Sequence, residues 1–234
     1  EDATLFRSLT MRCSYLAEGR PDLRFATKEV ARLMSTPCSM GMERLKRIGR
    51  YLRGVPRLVQ RFVRQPAPSH IMAFSDSDHA GCIRTRKSTS CGVFMHGKHM
   101  IKLLSSTQGV ESLSAGESEW YGLAHTASVG IGMINMARDM KWNTTLKLAG
   151  DATAASGIAN RRGAGRVRHI ETRTLWLQRH ITERRIILER EPGTSNPADL
   201  GTKHLDARKV KEITTVLGFV PRQGASNSAL QAAV

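Results

Sequence analysis

Apolar residues recur at helical spacing from the start of the chain, around Phe6, Leu9 and Leu16, until Gly19-Arg20-Pro21 interrupts them. A second helix is predicted from Asp22, whose side chain suits a cap, through Leu23, Phe25, Val30 and Leu33, ending before Pro37. A third runs from Met42 to Leu52. It sets Leu45, Ile48 and Leu52 on one face and Lys46, Arg47, Arg50 and Arg53 on the other, and Gly54-Val55-Pro56 stops it. Strand-like alternation follows over Leu58 to Val63, then a Pro-rich joint, Gln65-Pro66-Ala67-Pro68-Ser69.

Beyond the joint the pattern changes to mixed strands and helices. Ile71 to Ser75 reads as a short strand ending in acids, and Cys91 to Met95 and Met100 to Leu104 as two more, joined through a turn at Gly97. A long helix is predicted over about Leu113 to Met140, loosened by Gly116 and Gly122, each costing up to about 1 kcal/mol relative to Ala. Leu146 to Ala149 is a fourth strand, Ala152 to Asn160 a short helix, and Arg161 to Arg166 a basic loop. A helix over His169 to Thr182, a strand over Arg185 to Glu189 and a final, broken helix from Pro197 to Leu217 complete the order. This succession predicts an α/β layer fold on a mixed central sheet flanked by helices, with an N-terminal helical appendage. The expected divisions are 1–65 for the appendage, 70–220 for the α/β domain and 221–234 for a flexible tail.

The 234 residues suffice for one domain of ordinary size plus that smaller piece. No run approaches the roughly 18–20 apolar residues of a membrane helix, and Glu1-Asp2-Ala3-Thr4 has no signal-peptide character, so no membrane partner and no secretion are expected. The missing initiator Met suggests a fragment or processed product. Lys and Arg number 36 against 20 acids, a formal charge of +16, which favours a polyanionic partner through counterion release. The four cysteines form no Cys-x-x-Cys pair, so a reducing intracellular compartment is the simpler reading. Cys91, His96 and His99 lie close in sequence, but no second cysteine pair completes a zinc site.

Against this basic background, four acids stand at the ends of predicted elements. Asp76 closes the first core strand, Glu119 lies in the first turns of the long helix, Asp151 follows the fourth strand, and Asp199 opens the last helix. Gathered on one sheet edge, they would repel one another unless a divalent cation held them, and hard oxygen donors suit Mg²⁺ or Mn²⁺. Two such ions about 3.5–4 Å apart activate a water and stabilise the leaving oxygen of a phosphodiester. Taken singly, each acid is equally readable as a cap, a turn residue or a solvated helix position.

The motifs around these acids narrow the choice. Phe74-Ser75-Asp76-Ser77-Asp78-His79-Ala80-Gly81, Arg86-Lys87-Ser88-Thr89-Ser90-Cys91-Gly92 and Ser114-Ala115-Gly116-Glu117-Ser118-Glu119-Trp120 occur in order. Gly150-Asp151, Arg168-His169-Ile170-Glu171 and Asn196-Pro197-Ala198-Asp199-Leu200-Gly201-Thr202-Lys203 follow. Together they resemble the integrated ribonuclease H domain of copia-type retrotransposon polyproteins. Upstream, Arg20-Pro21-Asp22-Leu23 and Leu45 to Gly54 resemble the end of the same polyprotein's reverse transcriptase, without its Tyr-x-Asp-Asp polymerase motif.

The resemblance implies a ribonuclease H-like fold and hydrolysis of the RNA strand of RNA–DNA hybrids during retrotransposon reverse transcription. Asp76, Glu119, Asp151 and Asp199 are the implied catalytic residues and ligands of two Mg²⁺ ions, with Mn²⁺ as a substitute, while Asp78 and Glu117 rank below them. Arg161, Arg162, Arg166, Arg168 and His169 are the candidate nucleic-acid contacts. The implied partners are the hybrid and the missing reverse transcriptase domain, in a cytoplasmic particle or the nucleus. Two departures stand out: Ala152 replaces a polar residue after the third acid, and His79 replaces an aromatic Trp. The alternative is a catalytically inactive, basic nucleic-acid-binding remnant. Integrase-type strand transfer is disfavoured by the fourth acid and by the upstream neighbour.

Overall fold

A computed structural model of the chain describes residues 3–150, 157–163, 170 and 172–222. Three helices come first: α1 (Ala3–Leu16), α2 (Pro21–Ala31) and α3 (Ser39–Gly54). Their apolar stripes meet in a core of their own, built from Phe6, Ala17, Leu23, Val30, Leu45 and Ile48. Asp22 does not cap α2 as its sequence position suggests. It lies inside the first turn, and its carboxylate accepts two bonds from Arg20 (3.0 and 2.7 Å) and one from the Tyr51 hydroxyl (2.7 Å). Arg20 also donates to the Val55 carbonyl, so the buried charges are paired and the end of α3 is tied to the start of α2.

A short strand, β1 (Arg57–Gln60), leads out of the helices and pairs antiparallel with β7 (Phe219–Arg222). β7 thus includes Pro221 and Arg222, which the sequence pattern assigns to the tail. Between them lies a five-stranded sheet of β2 (His70–Ser77), β3 (Thr89–His96), β4 (His99–Thr107), β5 (Thr145–Gly150) and β6 (Ile186–Arg190). Its spatial order is β4-β3-β2-β5-β6, with β2, β5 and β6 mutually parallel and β3 antiparallel to both its neighbours. The sheet is the mixed, helix-flanked one that the element order predicts.

The long helix α4 (Ala115–Asp139) and α5 (Trp176–Thr182) cover one face, where Trp120, Ala127, Leu146, Leu148, Leu177 and Ile186 form the core. On the other face lie a 3-10 turn (Pro197–Gly201) and α6 (Ala207–Val216), packed on Cys91, Val93, Met95 and Leu103. The expected final helix is therefore two pieces, a 3-10 turn and an α-helix. Gly122 has a packing role in α4. A Cβ there would meet Ser75 Oγ at 3.3 Å, Ser77 Cβ at 3.4 Å and the Asp76 carbonyl at 3.5 Å, so the glycine brings the helix close against the end of β2. Among the described residues no helix is long and apolar enough to cross a membrane.

Candidate active site

Alternation along β2 sorts its side chains between two faces. Ser75 points towards α4, accepting a bond from Thr126 Oγ1 (3.3 Å). Asp76, the next residue, meets the 3-10 turn on the opposite face. Thr202 donates its hydroxyl to Asp76 Oδ2, and Lys203 Nζ lies 2.6 Å from Asp199 Oδ1 and 3.9 Å from Asp76 Oδ2. Two acids far apart in the chain thus converge on one ammonium. Asp76 is 5% exposed and Asp199 8%.

The turn that carries Asp199 is fixed from both sides. Asn196 Oδ1 accepts from Ala198 N–H (3.0 Å), and its amide donates to the Ser75 carbonyl (2.9 Å), joining the turn to β2. Ser105 on β4 donates to the Gly201 carbonyl, and a Cβ on Gly201 would sit 2.5 Å from Cys91 Sγ, so the turn is pressed against β3. Burial pushes the Asp76 carboxyl up to about 6, and the nearby Asp199 adds to the rise against the Thr202 bond and the Lys203 charge.

Glu119 is half-buried in the first turns of α4. It is linked to the end of β2 through Gln108. The buried Gln108 amide donates to Ser77 Oγ (2.9 Å), Ser90 Oγ (2.8 Å) and the Ser118 carbonyl (2.8 Å), and its oxygen accepts from Ser112 (2.8 Å). One side chain therefore ties the peptide before Glu119 to the residue after Asp76. Among the described residues, however, no three or more His, Cys, Asp or Glu side chains form a metal-holding group. Asp76 and Asp199 come together and Glu119 does not join them in such a group. Asp151 lies outside the described residues. The strand before it ends at Gly150 alongside β2, where a Cβ would lie 3.8 Å from the Ser75 carbonyl.

The two lower-ranked acids have structural partners. Glu117 accepts from Leu113 N–H (2.7 Å) and from the Tyr121 hydroxyl (2.7 Å), while Ser114 Oγ accepts from Glu117 N–H, closing the start of α4. Asp78 accepts from Thr89 N–H and donates its own N–H to the Thr89 carbonyl (3.0 Å). His96 and His99 contact backbone carbonyls of Pro68 and Val63, and Cys91 is buried in the core, so the three form no zinc site.

Arg161 is half-buried and Arg162 exposed, on a loop that Gln178 holds by accepting from Gly163 N–H (2.9 Å) and donating to the Ile158 and Gly163 carbonyls (2.8 and 3.0 Å). Arg166, Arg168 and His169 lie outside the described residues. Asn196, Thr202 and Lys203 stand in the sequence motif around Asp199 without an evident role there, and Gln108 stands outside every motif. The signal for the first three was the polar run framing Asp199. Gln108 had none, since its partners come from separate strands. A cavity of about 490 Å³ lined by Met72, Phe74, Met95, Ile213 and Leu217 contains none of Asp76, Glu119 and Asp199.

The acids fit a hard divalent cation by the nature of their donors. Two buried carboxylates face one cationic group, whose place a metal ion suits by charge. In sequence the chain is 33% identical over 127 residues to the uncharacterized mitochondrial protein AtMg00810 of Arabidopsis thaliana, a match covering 54% of this chain and 52% of that protein. It is 32% identical over 127 residues to the retrovirus-related Pol polyprotein from transposon RE1 of the same plant, covering 54% of this chain and 9% of the polyprotein. It is 25% identical over 202 residues to that from transposon TNT 1-94 of Nicotiana tabacum, 86% of this chain and 15% of the polyprotein. The chain thus spans about half of the first relative and a small part of the other two.

No protein-family model matches the chain. A solved structure, LC11-RNase H1 isolated from compost, aligns with 62% of this chain and 92% of its own at 12% identity and a TM-score of 0.39. Its sequence relatives thus include the retrovirus-related Pol polyproteins of transposons, to which the chain is similar.

Proposed function

We propose that the chain is the nuclease part of a retrotransposon polyprotein and hydrolyses the RNA strand of RNA–DNA hybrids. The observation that carries this reading is the convergence of Asp76 and Asp199 on the Lys203 ammonium at the end of β2. A protein with a +16 formal charge does not need buried acids to bind nucleic acid, and two carboxylates placed where a phosphate must approach would weaken binding on their own. They become useful when a cation stands between them and the phosphate.

Asp76, Glu119, Asp151 and Asp199 are assigned to hold Mg²⁺, in two sites, with Mn²⁺ as a substitute. The ions would supply Lewis-acid polarisation of the phosphodiester and a nucleophilic water at neutral pH. The chain's own residues do the positioning. Thr202 orients the Asp76 carboxylate, Asn196 fixes the turn that presents Asp199, and Gln108 sets the start of α4 relative to β2. Arg161, Arg162, Arg166, Arg168 and His169 are assigned to grip phosphates flanking the scissile bond, and recognition of the RNA strand requires contact with its 2′-hydroxyls. The choice of hybrid and of a reverse transcriptase partner rests on the six motifs and on homology to Pol polyproteins.

The test is a hybrid labelled on either strand, incubated with wild-type chain, Asp76→Asn and Asp199→Asn. Mg²⁺-dependent cutting of the RNA strand alone, lowered at least about a hundredfold by each substitution, is the expected result. A folded wild type that binds the hybrid and leaves both strands whole in Mg²⁺ and Mn²⁺ would replace this reading with that of a binding remnant.

A further inference from the structure

The helix α2 belongs to the N-terminal helical core, yet its outer side touches both segments that carry the acidic site. Lys28, which also pairs with Glu29 (2.6 Å), donates to Thr89 Oγ1 (2.8 Å) at the start of β3. Thr89 is the residue whose N–H binds Asp78 and whose carbonyl accepts from Asp78 N–H (3.0 Å) and Ser77 Oγ (3.1 Å), immediately beyond Asp76. Arg32, just after α2, donates to Cys82 Sγ (2.7 Å) and Thr85 Oγ1 (3.1 Å) in the same segment. Phe25 meets His204 edge to face, with ring centroids 4.9 Å apart, one residue beyond Lys203. The Lys28 ammonium lies 4.8 Å from the Phe25 ring centroid, so the two contacts are linked to each other.

These contacts span the two stretches that must keep a constant spacing if Asp76 and Asp199 are to share a cation. One runs from Asp78 to Thr89 and continues β2, and the other runs from Asp199 to His204. Both are short loops or turns, which hold a geometry only as well as their neighbours brace them. The bracing comes from a helix on the far side of the Pro-rich joint, in the N-terminal helical appendage.

We propose that α2 is a positioning element of the acidic site, in which Phe25, Lys28 and Arg32 hold the Asp78–Thr89 and Asp199–His204 segments in register without touching substrate. This rests on the reading of the acids as a metal-binding nuclease site. The experiment uses the full chain and compares wild type with Phe25→Ala, Lys28→Met and Lys28→Arg. Amide exchange is followed at 78–89 and 199–204, Mn²⁺ affinity by paramagnetic titration, and kcat and KM on the hybrid. Lys28→Met is included because Lys28 lies outside the helical core and its loss leaves Leu23 and Val30 packed.

Phe25→Ala and Lys28→Met are expected to speed exchange in both segments, to weaken Mn²⁺ binding about tenfold and to lower kcat more than they raise KM, with Lys28→Arg close to wild type. Wild-type exchange and Mn²⁺ affinity in both Phe25→Ala and Lys28→Met would overturn the proposal. If wild type neither cuts the hybrid nor binds Mn²⁺, the nuclease reading fails on its own account. The exchange comparison then still decides whether α2 holds the two segments: a faster exchange sustains it, and an unchanged one removes it.

Discussion

At the scale of single residues, Asp76 is a carboxyl that its surroundings hold against ionisation. Its carboxyl is buried beside Asp199 and rises from an ordinary 3.8 to about 6. The unfolded chain ionises Asp76 near the ordinary value, while the fold resists ionisation up to about 6, so its charge costs nothing below 3.8 and the full amount above about 6. Metal-free stability attributable to this residue therefore falls as pH rises through that window. Asp76→Asn keeps an oxygen for the Thr202 hydroxyl and removes the charge. In the presence of a chelator it should raise stability by about 2–3 kcal/mol at about pH 8, with the gain vanishing towards pH 4, read by thermal or urea unfolding at each pH. A gain of equal size at both pH values would show that burial of the charge is not the cause. Asp76 and Asp199 were legible in the sequence as acids near the ends of elements, and these two the fold brings to one ammonium. The roles of Asp78 and Glu117 were not: their partners, Thr89, Leu113 and Tyr121, appear only when β3 and the first turn of α4 are in place.

At the scale of elements, strands β1 to β6 and the long helix follow from period alone, within a few residues of their observed ends, whereas β7 is not among the predicted strands. The last segment did not. Its run from Pro197 to Leu217 divides because the 3-10 turn is pulled onto β2 by Asn196 and onto β4 through Ser105, contacts that no local pattern encodes. Gly122 was equally opaque, since its value lies in the approach of α4 to Ser75 and Asp76. Gln108 is the clearest case of an element joint held by one side chain. It bridges β2, β3 and the start of α4 from a buried position, and its loss leaves Ser77 Oγ, Ser90 Oγ and the Ser118 carbonyl short of a donor. Gln108→Ala should cost about 2–4 kcal/mol in urea unfolding, several times the effect of the exposed surface substitution Glu111→Ala, which serves as the control. A cost below about 0.5 kcal/mol would mean that the network is dispensable.

At the scale of the whole molecule, a helical core and an α/β sheet share their last contacts across the Pro-rich joint, through the β1–β7 pair and through α2. The basic excess suits a polyanion and the acidic pair suits a cation, and in the proposed function a metal ion would mediate between protein and phosphate. Composition made the first half of that statement legible, and the motifs the second. What the sequence did not show was that Lys203 stands beside both acids within the fold. The most direct measurement is a Mn²⁺ titration of the intact chain by paramagnetic resonance, repeated with Asp76→Asn and with Mg²⁺ as competitor. The account predicts saturable binding that Mg²⁺ displaces and that Asp76→Asn abolishes, with hybrid binding in the absence of metal left largely intact. A folded wild type that takes up no ion at millimolar concentration, or that binds it as well after Asp76→Asn, would contradict the account.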